Sequence, residues 1–150
     1  MYHDEHGTCV KFIFQEESIL INGISHITFI VKDLERTTLF IKGIFDATEV
    51  YSSSTVKYFQ IGDIWIALNK GEPLSERTYN HVAFQIRESD VDNYIERIKN
   101  VGVEIKPDRQ RTEGEGRSIY FYDFDNHLFE LHTGTLSERL TCCLRFKHAE

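Results

Sequence analysis

Long apolar runs are missing from this sequence, and none approaches the length a helix needs to cross a bilayer. The first twenty residues carry Asp4, Glu5, Glu16 and Glu17, and lack the basic start and long apolar centre of a secretory signal. A cytoplasmic location is the expectation. Cysteine is scarce: the three residues, Cys9, Cys142 and Cys143, all lie near the ends. An odd number with two adjacent in sequence does not make a disulfide framework, so free thiols are expected. No block of basic residues stands out, and the formal net charge is −7. That argues against nucleic acid, whose phosphates need a basic stripe. A small anionic ligand needs only a few local cations and stays open.

What is present is ordinary globular material, 41% hydrophobic and 27% charged over 150 residues. It suffices for one domain, or for two small modules sharing a core. An internal repeat supports the second arrangement. Ser25-His26-Ile27-Thr28-Phe29-Ile30-Val31 superposes on Asn80-His81-Val82-Ala83-Phe84-Gln85-Ile86, with apolar residues at every second place after each histidine. That is strand periodicity. Each strand meets an acidic residue, Asp33 or Glu88, and then a helical stretch. The first helix spans about Leu34 to Lys42, with Leu34, Thr37, Thr38 and Ile41 on one stripe and a stop near Gly43. The second has Ser89 as N-cap, Val91, Tyr94, Ile95, Ile98 and Val101 at helical spacing, and Gly102 as its stop. Strands follow at 48–51, 58–61 and 64–69 in the first copy, and at 104–106, 118–122 and 127–132 in the second. Gly62-Asp63 and Asp125-Asn126 form the hairpin turns.

The pattern is βαβββ twice, an α+β fold of paired modules: about 22–69 and about 79–134 within a domain of 22–140, joined by the polar link 70–78. Residues 1–21 read as an N-terminal extension and 141–150 as a C-terminal tail. His3, His6 and Cys9 have a spacing that can catch a metal, but a frayed extension is the plainer reading. One face of each sheet is expected under its helix and the other against its counterpart, enclosing a cavity.

His26 and His81 hold equivalent places, so the repeat can bring both to the module interface. Glu130 sits between apolar residues in Leu128-Phe129-Glu130-Leu131, and a carboxylate there is costly unless paired or bound to a cation. Matching Trp65-Ile66-Ala67-Leu68-Asn69 with Leu128-Phe129-Glu130-Leu131-His132 puts Ala67 opposite Glu130, so the first module supplies no carboxylate. Two imidazoles and one carboxylate leave positions open on a divalent ion, as a catalytic metal requires. The set suits Mn²⁺, Fe²⁺, Ni²⁺ or Zn²⁺. His127 reads as a solvated turn residue, and His132 as a neighbour of Glu130 on the same face.

Asn22 to Phe29, Glu76 to Phe84, and above all Glu113-Gly114-Glu115-Gly116-Arg117-Ser118-Ile119-Tyr120-Phe121-Tyr122-Asp123 leading to Phe129-Glu130-Leu131-His132 and Gly134-Thr135-Leu136 resemble the vicinal oxygen chelate superfamily. Within it they look most like the metal-dependent fosfomycin resistance proteins, and closest to the branch that adds water to the epoxide. The resemblance covers about Asn22 to Leu140. It implies metal ligation by His26, His81 and Glu130, with Mn²⁺ the first choice. It also implies a domain-swapped homodimer in which His26 meets His81 and Glu130 of the other chain. The family's phosphonate contacts fall on Thr28, Tyr120 and Arg139 with Ser118 close by, and Tyr58, Trp65 and Tyr79 line the cavity. Hydroxyls and a guanidinium suit a tetrahedral anion.

One departure bears on the reaction. The water-adding branch carries a glutamate base on a longer stretch before the strand of Tyr58. Here that stretch is Ser52-Ser53-Ser54-Thr55-Val56-Lys57, with Val56 at the place of the glutamate. Valine takes no proton, and general-base catalysis is worth roughly 10²–10⁴-fold. Glu49 is the nearest substitute in sequence. The alternative nucleophile is a thiol: glutathione, bacillithiol or cysteine. The Glu113 to Ser118 loop also resembles a monovalent-cation site of the glutathione branch, but Gly114 lacks the side-chain oxygen. Rival readings are an isomerase or iron-dependent dioxygenase on the same scaffold, and a metal-free antibiotic-binding module.

Overall fold

The computed structural model describes residues 21–107 and 115–147, with side chains as far as 141. His3, His6, Cys9, Glu113, Gly114 and the side chains of Cys142 and Cys143 lie outside the described residues. Strand β1 (His26–Val31) leads to α1 (Leu34–Phe45), β2 (Thr48–Ser52), β3 (Val56–Ile61) and β4 (Ile64–Lys70). After residues 71–80 the order returns as β5 (His81–Gln85), α2 (Val91–Val101), β6 (Ile105–Lys106), β7 (Ser118–Tyr122) and β8 (Leu128–His132). A last helix, α3 (Leu136–Lys147), crosses the end of the expected domain at Leu140.

The two sheets run β1-β4-β3-β2 and β5-β8-β7-β6, each mixed, with β1 parallel to β4 and β5 parallel to β8. The pairing makes the repeat concrete. Ala67 lies between Thr28 and Tyr58, just as Glu130 lies between Ala83 and Tyr120. Side chains alternate across a strand. One face of the first sheet therefore carries His26, Thr28, Tyr58 and Trp65, and one face of the second carries His81, Tyr120, Glu130 and His132.

The opposite faces share one core. Leu34, Thr37, Thr38 and Ile41 are buried as the α1 stripe requires, together with Phe40, Ile44 and Phe45. The two threonines are tolerated there because their hydroxyls donate to the carbonyls of Asp33 and Leu34. Phe40 and Phe45 reach across to the second module, against Phe121, Phe129 and Phe84. Each module therefore lends its helix to a joint core. The two open faces do not close on each other within the chain: His26, Thr28 and His81 are all exposed.

Helix ends differ from expectation in two places. Gly43 does not stop α1, which continues to Phe45 and closes at Asp46 in the left-handed region, its N–H donating to the Lys42 carbonyl. Gly43 is instead a packing residue, since a Cβ there would stand 2.7 Å from Val101 Cγ2, where α1 meets α2. Ser89 is not the cap of α2, because Glu88–Asp90 forms a 3-10 turn first and Asp90 precedes the helix without a side-chain cap bond. Asp33 does cap α1, accepting from the N–H groups of Glu35 and Arg36, and Gly102 ends α2 at φ 84°.

His127 is a further correction. It is not solvated: its ring donates through Nδ1 to Asp123 Oδ2 at 2.7 Å and lies edge-on to Phe29 at 4.9 Å. Asp123 Oδ1 also accepts from the N–H groups of Asp125 and His127. The turn then staples the modules, because Asp125 accepts from the Lys32 N–H and Asn126 donates to the Leu74 carbonyl.

Lys57 is the one buried cation of the first module, 5% exposed, with Glu35 at 2.9 Å and Glu49 at 3.4 Å. The Glu35 hydrogen bond, against the effect of burial, raises the Lys57 pKa above its ordinary 10.5. Burial pushes Glu49 up, but the charge and hydrogen bond of Lys57 outweigh it, leaving its pKa below 4.5. The Lys57 contribution to stability is present below pH 10.5 and fades as pH rises through the raised value. That of Glu49 is present above pH 4.5 and fades as pH falls through the lowered one. Melting temperature measured against pH should therefore drop on both flanks, and Lys57→Met should flatten the alkaline flank. Stranding the lysine costs more than removing it: Glu35→Gln with Glu49→Gln is expected to lose about 3 kcal/mol and Lys57→Met about 1 kcal/mol or less. Denaturant unfolding checks the order.

Candidate metal centre

The second sheet builds most of the site. His81 opens β5, and its Nδ1–H donates to the Tyr79 carbonyl at 2.7 Å, which fixes the ring and turns Nε2 towards Glu130. His81 Nε2 and Glu130 Oε2 are 2.9 Å apart. With Nδ1 carrying the ring proton, both facing atoms bear lone pairs. They repel at that distance unless a proton or a cation lies with them. Neighbouring ligand atoms of one metal ion, each about 2.0–2.2 Å from it, stand roughly 3 Å apart, so the pair fits two adjacent positions of a divalent ion.

Glu130 is 7% exposed. Burial raises its pKa, but the Ser118 and Tyr120 hydrogen bonds and the nearby His81 and His132 outweigh this and hold the carboxyl below its ordinary value. A chain of bonds supports it. His132 Nδ1–H donates to Ser118 Oγ at 2.7 Å, and the Ser118 hydroxyl donates to Glu130 Oε1 at 2.5 Å, while Oε2 faces His81 Nε2. The glycines behind this chain are required by close approach. A Cβ on Gly134 would meet His132 Nε2 at 2.7 Å, and one on Gly116 would meet the Gly134 nitrogen at 2.7 Å. Outer partners of this kind set metal affinity by about 10–100-fold. Ser118→Ala and His132→Ala should each weaken Mn²⁺ binding within that range, read by titration with electron paramagnetic resonance. Ser118→Thr, which keeps the hydroxyl, should restore most of it.

The first sheet holds the other half. His26 is exposed and stacks on Trp65, with ring centroids 4.2 Å apart, and Tyr58 meets Trp65 edge-on at 4.9 Å. Thr28 lies on the same face, and shares with His81 and Asn80 a cleft of about 510 Å³ between β1 and β5. Tyr79 is exposed at the other half, its ring 5.1 Å from His81 and 6.3 Å from Tyr120. Among the described residues no three potential ligands come together, so His26 does not join His81 and Glu130 within the chain. Arg139 lies exposed on α3.

Glu49 is brought to neither half. It pairs with Phe59 on β3, not with Tyr58, so its side chain takes the covered face and binds Lys57 and Lys42. Val56 does share the face of Tyr58. A bulge between Glu49 and Tyr51 shifts the register and sets Tyr51 opposite Tyr58, rings 5.2 Å apart. Sequence periodicity missed Tyr51 because a bulge leaves no signature in residue types.

A model of the Glyoxalase/Bleomycin resistance protein/Dioxygenase superfamily matches residues 23–131. The chain belongs to this superfamily. Among relatives of this glyoxalase-superfamily chain is the fosfomycin resistance protein FosX of Listeria innocua, 61% identical over 128 residues, covering 81% of this chain and 96% of that protein. The crystal structure of FosX from Listeria monocytogenes with Mn(II) and sulfate is 63% identical with a TM-score of 0.78, and covers 83% of this chain and 99% of that one. A glutamate-to-glutamine mutant of the same FosX, crystallised with Mn(II) and 1S,2S-dihydroxypropylphosphonic acid, is 62% identical at the same coverage and TM-score.

Proposed function

We propose that this protein confers fosfomycin resistance by opening the epoxide of fosfomycin with a divalent metal ion, Mn²⁺, and adding water. The observation that carries this reading is the His81–Glu130 pair, whose facing atoms at 2.9 Å are spaced as neighbouring ligands of one divalent ion. Its presence in a chain 61% identical to a FosX directs the chemistry to fosfomycin. The diol in the FosX mutant crystal has the composition of fosfomycin plus water, which supports water as the nucleophile. Glu130, buried in the apolar strand Leu128–His132, argues against a metal-free binding module.

The third ligand is His26 of the partner subunit in a domain-swapped homodimer. The exposure of His26, Thr28 and His81 on open sheet faces supports this, since a shared cavity would cover them. A divalent ion held by His81, Glu130 and the partner's His26 would supply Lewis-acid polarisation of the epoxide oxygen. Thr28, Tyr120 and Arg139 hold the phosphonate with Ser118 close by, its one proton donated to Glu130, while Tyr58, Trp65 and Tyr79 wall the cavity and limit stray water. Attack at the carbon bearing the phosphonate gives the diol. A cytoplasmic location completes the reading.

A second reading, thiol addition, is favoured by one observation: Val56 stands on the open face and Glu49 on the covered one, so the stretch 49–58 offers the cavity no carboxylate base. Incubation with Mn²⁺ and fosfomycin, with and without glutathione, cysteine or bacillithiol, separates the two by phosphorus NMR. Diol without thiol is expected. Adduct alone favours the second reading, and no product under any condition removes the enzyme assignment.

A further inference from the structure

At the edge of the second sheet, Lys106 pairs with Tyr120, which pairs with Glu130. These three side chains form a row on the open face, and strands are about 4.8 Å apart, so Lys106 sits roughly 10 Å from the metal carboxylate. Its Nζ lies 5.8 Å from the centroid of the Tyr122 ring and 5.7 Å from that of Tyr79. Arg77 places its guanidinium carbon 4.4 Å from the same Tyr122 centroid. Two cations therefore share one ring, and that ring is held still, because the Tyr122 hydroxyl donates to the Thr78 carbonyl at 3.0 Å.

Cation–π attraction at exposed sites is weak, about 0.5–1 kcal/mol. It does not by itself explain why two like charges are gathered on one ring. They border a cleft of about 600 Å³ that also takes in Arg36, seated 3.7 Å over Phe124. Glu104 and Asp123 lie on the same rim. The oxygens of Asp123 are already taken by Asp125 and by His127. The contrast with the whole molecule matters, since a formal charge of −7 repels a dianion. Local cations in a cleft reverse the field where the ligand arrives.

We propose that Arg77 and Lys106, set around the Tyr122 ring, form a subsite for a small tetrahedral dianion at the rim of the His81–Glu130 half-site. The dianion is the phosphonate of the substrate, captured before it reaches the metal ligands; this choice of ligand rests on the proposed function. Tyr79 connects the two places, 5.7 Å from Lys106 on one side and 5.1 Å from His81 on the other.

Methylphosphonate binding to the full-length, metal-free protein tests the subsite without relying on turnover. Calorimetry at low salt should show binding that weakens as salt rises. Removing two cations from a shared anion site with R77A/K106A should weaken it on the order of tenfold, and R77K/K106R, which keeps both charges but moves the guanidinium fork off the Tyr122 ring, should lose less than the double alanine variant. In the Mn²⁺-loaded protein, R77A/K106A should lower kcat/KM for fosfomycin several-fold through KM rather than kcat, with a flatter dependence on salt. Unchanged methylphosphonate affinity in R77A/K106A overturns the subsite, as does binding lost only in Arg139→Ala. Wild-type protein inert towards fosfomycin would instead overturn the functional reading, with the methylphosphonate measurement still deciding the subsite.

Discussion

Mixing His26→Ala chains with Glu130→Gln chains should restore about a quarter of wild-type activity, although each variant alone is inactive. In a shared cavity, one site of the mixed dimer combines both lesions and the other combines none. Random exchange makes about half of the dimers mixed, and each then holds one intact site of two. The variants are purified separately, unfolded together and refolded, and turnover is followed by phosphorus NMR. The geometry behind the expectation is the division of the proposed ligands: His26 stacks on Trp65 on one open face, while His81 and Glu130 lie together on the other. Were all three ligands supplied by one chain, every site in the mixture would be defective, and no recovery would be seen.

Glu130→Gln by itself should lower Mn²⁺ affinity and kcat/KM by more than about 10³-fold, because losing a ligand exceeds the 10–100-fold cost of losing its outer partner. Folding should not suffer. The amide keeps the size of the carboxylate and is cheaper to bury, so the metal-free variant should unfold within about 1 kcal/mol of wild type. Calorimetry with Mn²⁺ and denaturant unfolding without it give the two numbers. Intact metal affinity in the variant would remove Glu130 from the centre, and with it the reading of the whole second sheet.

Much of this was legible in residue order. The period-two pattern after His26 and His81 marks β1 and β5 at their observed starts, and Ser118 to Tyr122 is a strand as read. The match of Ala67 with Glu130 holds in the hydrogen-bonded register. Where the reading missed, the deciding partner was remote in sequence. Gly43 suggests a stop, yet Val101 on another helix makes it a contact. His127 suggests a solvated turn, yet Asp123 and Phe29 enclose it. Glu49 suggests a base, yet its strand position turns it to Lys57.

The sequence by itself determined which side chains lie on which face of each sheet, because alternation along a strand is a local property of the backbone. It also determined that Ala67 stands in the first module where Glu130 stands in the second. Only the tertiary structure decided that both covered faces share a core through α1 and α2, since Phe40 and Phe45 find their partners across the module boundary. That shared core points the two faces with the proposed ligands outward, His26 on one and His81 with Glu130 on the other, where no local pattern could have placed them. Contacts between distant segments depend on how whole surfaces pack, and that information is spread over the chain rather than written at any one position.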